Sequence, residues 1–337
     1  MLENPDSRKS SMHTAKDKVS RLIKHESAVL VIVLVVLIGV FSFVSKGLTT
    51  GRNNLVNILL QSSIRGVASM GQAFVILTSG IDLSVGGVGL FSALLGSLML
   101  TQEPTINILG GPVPAAGVIP VMLFSGAVFG LLNGLSVSRI GMPPLIVTLA
   151  AWEISKGLAW RISGGFSVGL LEPSMAFVGQ GEIATVPVPV IIFIVVAVIS
   201  YFVLSHSTFG RSIYAVGGNP VSAWLTGINV KKVTLIVYII SGFLAGLAAV
   251  IMTGRVMSAS MRTLEGLELD SIAAVCIGGV SLMGGRGNII GVILGVVIIG
   301  VINNGMSVLG VSSAVYGVVK GAIIFAAVAI DYIRRRR

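Results

Sequence analysis

Charge is the first thing this sequence is short of. Only 11% of its 337 residues are Asp, Glu, Lys or Arg, while 54% are hydrophobic. A soluble domain carries about 25% charged residues, so the chain cannot be built only from water-covered domains. Cysteine is nearly absent: Cys276 stands alone, which excludes an internal disulfide. The three histidines, His13, His25 and His206, are far apart. They give no metal-ligand spacing and read as solvated or interfacial. No Gly-Lys dipeptide occurs, so the chain has no Walker A phosphate loop. Strict alternation of polar and apolar residues is missing, which argues against an outer-membrane barrel. Clustered His, Asp or Glu at catalytic spacing are missing too, which argues against an integral-membrane enzyme.

What the sequence has instead is apolar runs from end to end. Each is near the ~20 residues that a helix needs to cross a bilayer. The 43 glycines fit this reading, because small residues let membrane helices approach closely. The expected fold is an all-α polytopic membrane protein. Its candidate spans are 28–45, 55–79, 84–101, 119–138, 143–162, 186–204, 233–254, 269–283, 289–310 and 315–333, about ten transmembrane helices. The eighth is short enough for a broken or re-entrant helix.

Residues 1–27 form a basic tail with Arg8, Lys9, Lys16, Lys18, Arg21 and Lys24, and 334–337 is a run of arginines. The first apolar run is too long, and too far from the N-terminus, for a cleaved signal. By the positive-inside rule both tails are cytoplasmic, so the number of spans is even and 28–333 is one membrane domain. The loops agree. Inner loops hold Arg139, Arg211, Lys231, Lys232 and Arg286; outer loops 102–118 and 163–185 hold Glu103, Glu172 and Glu182 and no Lys or Arg. Loop 255–268 breaks the pattern with Arg255 and Arg262. The net charge of +10 thus reads as membrane topology, with no nucleic-acid partner implied.

The two halves resemble each other. Gly130-Leu-Leu-Asn133-Gly134-Leu-Ser136-Val137 matches Gly300-Val-Ile-Asn303-Asn304-Gly305-Met-Ser307-Val308 with one insertion. Gly80-Ile-Asp82-Leu-Ser-Val-Gly86-Gly87 matches Gly279-Val-Ser281-Leu-Met-Gly284-Gly285 with one deletion. The copies are parallel if both segments cross, and inverted if one is re-entrant. Either form argues for a transporter, because solute paths lie between such halves.

Polar residues inside the spans are few. Asn57, Gln61, Arg65 and Gln72 fall on one helical stripe. The stripe must face protein or a wet cavity, either as a path lining or as a helix–helix hydrogen-bond seam. Asp82 lies where the second span breaks at Gly80. It reads as a cap on the third helix, accepting from its free amides with help from Ser84, or as part of a gate. Glu153 and Lys156 are spaced to pair on one helix face, and no chain of charges suggests an ion relay. The glycine ridges Gly126/Gly130/Gly134, Gly242/Gly246, Gly291/Gly295 and Gly317/Gly321 read as packing devices.

Residues 205–232 form a long inner loop containing GGNPVSAWLTGI. Asn219 is a good N-cap, Pro220 fits the first helical position and Gly227 the position past the end. A short cytoplasmic helix is expected over 220–226. Val221, Trp224 and Leu225 make it apolar for an exposed segment, which calls for a partner or a place at the membrane interface.

Four blocks resemble the permease subunits of ribose-type bacterial ABC sugar importers. They are SGIDLSVGG, FGRSIYAVGGNPVSAWLTGINVKKV, LELDSIAAVCIGGVSLMGGRGNIIGVILG and INNGMSVLGVSSAVYGVVKGAI. The resemblance runs from about 28 to 333, with the motifs in order, and branched-chain amino acid permeases are more distant relatives. It implies a ten-helix subunit of the bacterial inner membrane, embedded in lipid and paired with a second permease chain, identical or related. It also implies two cytoplasmic ATPase domains, which bind ATP and Mg, and a periplasmic substrate-binding protein. The chain itself would hold no cofactor and catalyse no reaction; its 220–226 helix would couple to the ATPase. After Gly218-Asn219 the family often has an acidic residue, paired alanines and Arg-Leu-Ser-Gly-Ile. Here Pro220 to Ile228 keep the helix frame without that charge pattern. The solute would be a monosaccharide or related polyol. The rival reading is a stand-alone secondary transporter or channel for a small polar solute.

Overall fold

Uninterrupted runs of Val, Ile, Leu and Phe offer no side chain to satisfy the backbone, and in an apolar medium only a helix or a closed barrel satisfies itself. The structure is a computed structural model that describes residues 26–335; tail residues 1–25 and the last two arginines lie outside the described residues. Its helices are α1 (Glu26–Val44), α2 (Arg52–Leu77), α3 (Val85–Leu100), α4 (Ala115–Leu135), α5 (Pro144–Ser163), α6 (Ala176–Gln180) and α7 (Val188–His206). Then come α8 (Thr208–Gly218), α9 (Pro220–Leu225), α10 (Val230–Val256), α11 (Leu267–Ile277), α12 (Ile289–Val308) and α13 (Ser313–Arg335). A two-stranded hairpin, Glu182–Ile183 with Val186–Pro187, sits between α6 and α7.

Each expected span overlaps a helix, and all but the eighth agree with its ends to within four residues. Four helical stretches, Ala115–Ile140, Val188–His206, Val230–Val256 and Ile289–Val308, are each long and apolar enough to cross a membrane. The short eighth span is α11, with 11 residues. That is about 16 Å of helix, roughly half the hydrocarbon thickness.

The connections gather at two ends of the bundle. At one end Asn54 and Asn304 exchange side-chain hydrogen bonds of 2.7 and 2.9 Å. Isolated bridges there join Thr101 to Leu171 and Val168 to Ala259. At the other end Gly285 N–H donates to Leu77 O at 3.0 Å, and Tyr214 Oη donates to Gly287 O at 2.9 Å. Successive loops alternate between these ends.

The packing gives the repeat a different register from the one read in the glycines. α3 packs on α4, α5 and α10, while α11 packs on α12, α13 and α2. Helices α2–α5 therefore correspond to α10–α13. The break 78–84 and its counterpart 257–266 lie at opposite ends, so the copies are inverted. In this register Gly80-Ile-Asp82-Leu-Ser84 faces Gly266-Leu-Glu268-Leu-Asp270, and Asn133 still matches Asn303. Gly279–Gly285 touches the first break without being its copy. The two segments look alike because both carry turns with positive φ, at Ser79, Gly279, Gly284 and Gly285.

Helix α4 crosses α10 at close range. A Cβ on Gly242 would run into Gly126 O, and one on Gly126 into Gly242 O. Only glycine on both helices lets these backbones meet. Gly291 and Gly295 likewise press on Gly278 and Ala274 of the α11 segment. Gly317 and Gly321 differ from the expectation: among the described residues nothing lies within 4 Å of a Cβ placed there. Lys156 also departs from its expected pairing, since its Nζ sits 4.7 Å from the Trp152 ring centroid and no ion pair joins it to Glu153 among the described residues.

Candidate functional site

The turn 78–84 follows the end of α2 at Leu77 and carries a carboxylate into the core. Asp82 is only 1% exposed. Its Oδ1 accepts from Ser84 N at 2.9 Å and Ser84 Oγ at 2.6 Å, and its Oδ2 accepts from Ser241 Oγ on α10 at 2.7 Å. Asn133 Nδ2 on α4 donates to Ser84 Oγ at 2.9 Å. The Gln72 amide brackets the same residue, donating to Asp82 O at 3.0 Å and accepting from Asp82 N at 3.2 Å. Tyr238 Oη and Thr148 Oγ1 both reach Ile81 O at 3.4 Å. Asp82 does not cap α3 by its free amides as expected. Ser84 holds the N-cap position without a side-chain cap, and Asp82 satisfies Ser84 and ties it to α10. A carboxylate with three donors and no cation is held by hydrogen bonds alone.

A second polar cluster lies towards the opposite end. Asp270 on α11 takes Arg65 Nε on Oδ2 at 2.9 Å and Lys320 Nζ on Oδ1 at 2.7 Å. Asn303 Nδ2 adds a contact at 3.3 Å. The sequence reading missed this triad, since Asp270 stands at the very start of the expected span 269–283. Its signal is the register just described: Asn133 with the Asp82 turn and Asn303 with Asp270 are equivalent pairs.

Arg65 and Asp270 of the triad line a cavity of about 440 Å³ between α2, α10 and the start of α11. Gln61, Arg65, Arg255, Arg262, Glu265 and Asp270 supply its polar lining. Asn57 stands nearby, its Oδ1 accepting from Arg255 Nη2 at 2.7 Å. The cavity lining includes the two arginines that broke the expected loop charge pattern, Arg255 and Arg262. The expected stripe therefore divides. Gln61 and Arg65 line the cavity and Asn57 is hydrogen-bonded to Arg255 of its lining, whereas Gln72 is fully buried and joins the Asp82 turn.

The third feature is α9, at the end of the bundle that holds the 78–84 turn. Asn219 Oδ1 accepts from Val221 N and Ser222 N at 2.9 and 3.0 Å, as an N-cap does. At the other end Gly227 adopts φ 86°. Gly227 N donates to Trp224 O at 2.9 Å and Ile228 N to Ala223 O at 3.1 Å, the paired bonds of a Schellman ending. The helix runs from Pro220 to Leu225, with Thr226 as its C-cap. Ala223 is buried, while Val221, Trp224 and Leu225 are 66%, 67% and 72% exposed. A groove of about 640 Å³ lies alongside, lined by Ser138, Val221, Trp224, Ile228 and Lys231 among others.

Comparison with known proteins fits this arrangement. The family described as branched-chain amino acid transport system / permease component matches residues 54–328. The ribose import permease protein of Escherichia coli (strain K12) is 40% identical over 89% of this chain and 92% of its own length. That of Bacillus subtilis is 41% identical over 82% and 84%. The D-allose transport system permease protein of Escherichia coli (strain K12) is 38% identical over 89% of each. No solved structure matches. With most of its length matched on both counts, this chain belongs to the family of sugar import permeases that these relatives represent, within the branched-chain amino acid transport system / permease component family.

Proposed function

We propose that this chain is the membrane-spanning permease subunit of a bacterial ABC importer and carries a monosaccharide or related polyol across the inner membrane. It crosses ten times, on α1–α5, α7, α10, α11 together with the 257–266 segment before it, α12 and α13, with both termini cytoplasmic. A second permease chain, two cytoplasmic ATPase domains and a periplasmic binding protein complete the machine. ATP and Mg belong to the ATPase subunits, and this chain holds no cofactor.

The observation that carries the reading is α9. A six-residue helix does not persist alone, yet this one is capped at both ends and presents Val221, Trp224 and Leu225 to solvent. Such an apolar surface beside a groove suits a protein partner. Its place at the end of the bundle shared by both glycine turns suits the transfer of motion. The cavity supports a neutral hydroxylated solute, since Gln61, Arg255, Arg262 and Glu265 offer donors and acceptors together. The path would run from there past the Asp82 turn.

The test uses the assembled importer. Replacing Trp224 and Leu225 with Asp should abolish both co-purification of the ATPase and ATP-dependent uptake of labelled pentoses and hexoses. Survival of both would sink the docking assignment. Purified permease alone in liposomes should take up no sugar; uptake without ATPase would establish the stand-alone transporter instead.

A further inference from the structure

Ser79 adopts φ 64°, the left-handed conformation that glycine takes freely and other residues take at a cost. Around it the chain uses glycine for this purpose, at Gly284 and Gly285. A serine kept in such a conformation points to its side chain. The Ser79 hydroxyl reaches two carbonyls on two different segments. It lies 3.0 Å from Gly217 O, at the end of α8, and 2.7 Å from Met283 O, in the turn between α11 and α12.

A serine hydroxyl has one hydrogen to give. It therefore serves one carbonyl in full or both in part. The three backbones it joins are already in contact. Gly285 N donates to Leu77 O at 3.0 Å, and a Cβ on Gly217 would collide with Leu77 O. The Gly217 segment leads through Asn219 directly into α9. The Met283 turn leads back into α11, which carries Asp270 to the cavity wall.

We infer that Ser79 is the positioning residue that couples α9 to the cavity, a latch whose single donated hydrogen bond switches between Gly217 O and Met283 O as α8 moves. This rests on the importer reading above. A shift of α8 away from the break directs the hydrogen bond wholly to Met283 O and holds the α11–α12 turn against α2. A shift of the turn directs the bond to Gly217 O. Coupling of this kind is reciprocal: a bias imposed at α9 appears at Asp270, and occupancy of the cavity appears at α9.

The decisive variants are Ser79→Gly and Ser79→Asn. Glycine relieves the left-handed conformation and removes the donor, so a merely structural role predicts a protein at least as stable and fully active. The latch predicts a folded permease that still binds its ATPase but imports about tenfold fewer sugars per ATP hydrolysed. Asparagine tolerates the conformation and brings two amide hydrogens, so it should restore most of the ratio. Wild-type stoichiometry in the glycine variant, or no recovery in a folded asparagine variant, overturns the assignment. Hydrogen exchange on the purified full chain separates this from the functional reading. Ser79→Gly should speed exchange of the Gly285 amide, whether or not the wild type imports sugar. Unchanged protection there overturns the latch, whereas absence of ATP-driven import by the wild type overturns only the importer reading.

Discussion

The Ser241 hydroxyl donates to Asp82 Oδ2 across 2.7 Å, although the two residues stand 159 positions apart in the chain. One belongs to the turn that ends α2, the other to α10, its counterpart in the inverted copy. Asp270 is held in the same manner by Arg65 on α2, 205 positions away. Each repeat thus sends a side chain from its first long helix into the polar centre of the other. The two halves are fastened at one buried carboxylate apiece, one by hydroxyls and one by cations.

Removing the first fastening should show in stability. Asp82→Ala leaves the Ser84 amide and the Ser84 and Ser241 hydroxyls without their acceptor, and each buried unsatisfied group costs about 1–3 kcal/mol. Asp82→Asn keeps an acceptor for Ser84 and donates to Ser241, whose hydroxyl can turn to accept. Thermal unfolding in detergent should place the Ala variant about 3 kcal/mol or more below wild type and the Asn variant within about 1 kcal/mol. Equal melting of wild type and Ala would mean that the carboxylate fastens nothing.

What the sequence disclosed, and what it concealed, follows from the range of each interaction. The 220–226 helix was legible because Asn219, Pro220 and Gly227 each dictate their own backbone, and the helix ends one residue earlier than expected. The spans were legible because an apolar run is a local pattern. Asp270 was not, because both its cations come from distant helices. The Asn57–Gln72 stripe was half legible: helical spacing gives the direction a residue faces but not its depth. Gln72 lies about two turns beyond Arg65, past the cavity and inside the packed core. The repeat was found in the right halves, but glycine turns obscured its register.

The Asp270 triad gives a second stability prediction. Asp270→Ala leaves Arg65 and Lys320 facing each other without their shared anion. Loss of one partner from a buried ion pair costs about 3–5 kcal/mol; the lower end applies because the cation side chains are 20% and 24% exposed. Lys320→Met should be milder, since Arg65 still neutralises Asp270. Adding Lys320→Met to Asp270→Ala should recover part of the loss, and a double-mutant cycle reads that coupling directly. Strictly additive effects would show that the three charges do not act as a unit.

Steric closeness makes the α4–α10 crossing intolerant. Gly242→Ala drives a methyl into Gly126 O, and the helices must separate or tilt. Overpacking of this kind costs about 1–3 kcal/mol. Gly317→Ala meets nothing within 4 Å among the described residues and should gain up to about 1 kcal/mol of helix propensity in the isolated permease. Melting temperatures of the two purified variants should move in opposite directions; a stable Gly242→Ala would contradict the packing.

Glu172, in the loop before α6, accepts from Ser174 N at 2.6 Å and Ser174 Oγ at 2.7 Å. These bonds hold its carboxyl below the usual glutamate value of 4.5. The sign follows: a depressed carboxyl lends the turn its support above that value and withdraws it as the pH falls through the lowered one. Protection of the Ser174 amide against hydrogen exchange, corrected for intrinsic rates, should therefore persist through pH 4.5 and drop only in stronger acid. A midpoint at or above the ordinary glutamate value would show that the bonds do not favour the charged form.

The caps of α9 provide the sharpest functional prediction, because a six-residue helix has little else to hold it. Asn219→Ala removes the acceptor for two amides at a cost of about 1 kcal/mol. Gly227→Ala forces a Cβ into φ 86° at a cost of about 1–2 kcal/mol. If docking selects the helical form, each loss reduces the competent population, and apparent ATPase affinity should fall about fivefold or more. Asn219→Asp preserves the cap and places a negative charge at the helix N-terminus, so it should dock nearly as well as wild type. Titrating the ATPase onto the reconstituted permease gives the affinities, and ATP-dependent sugar uptake should follow the same order. The order matters more than any one value: Asn and Asp together above Ala identifies a helix that must be formed to be recognised. Equal binding by all three would mean that the partner reads something other than α9.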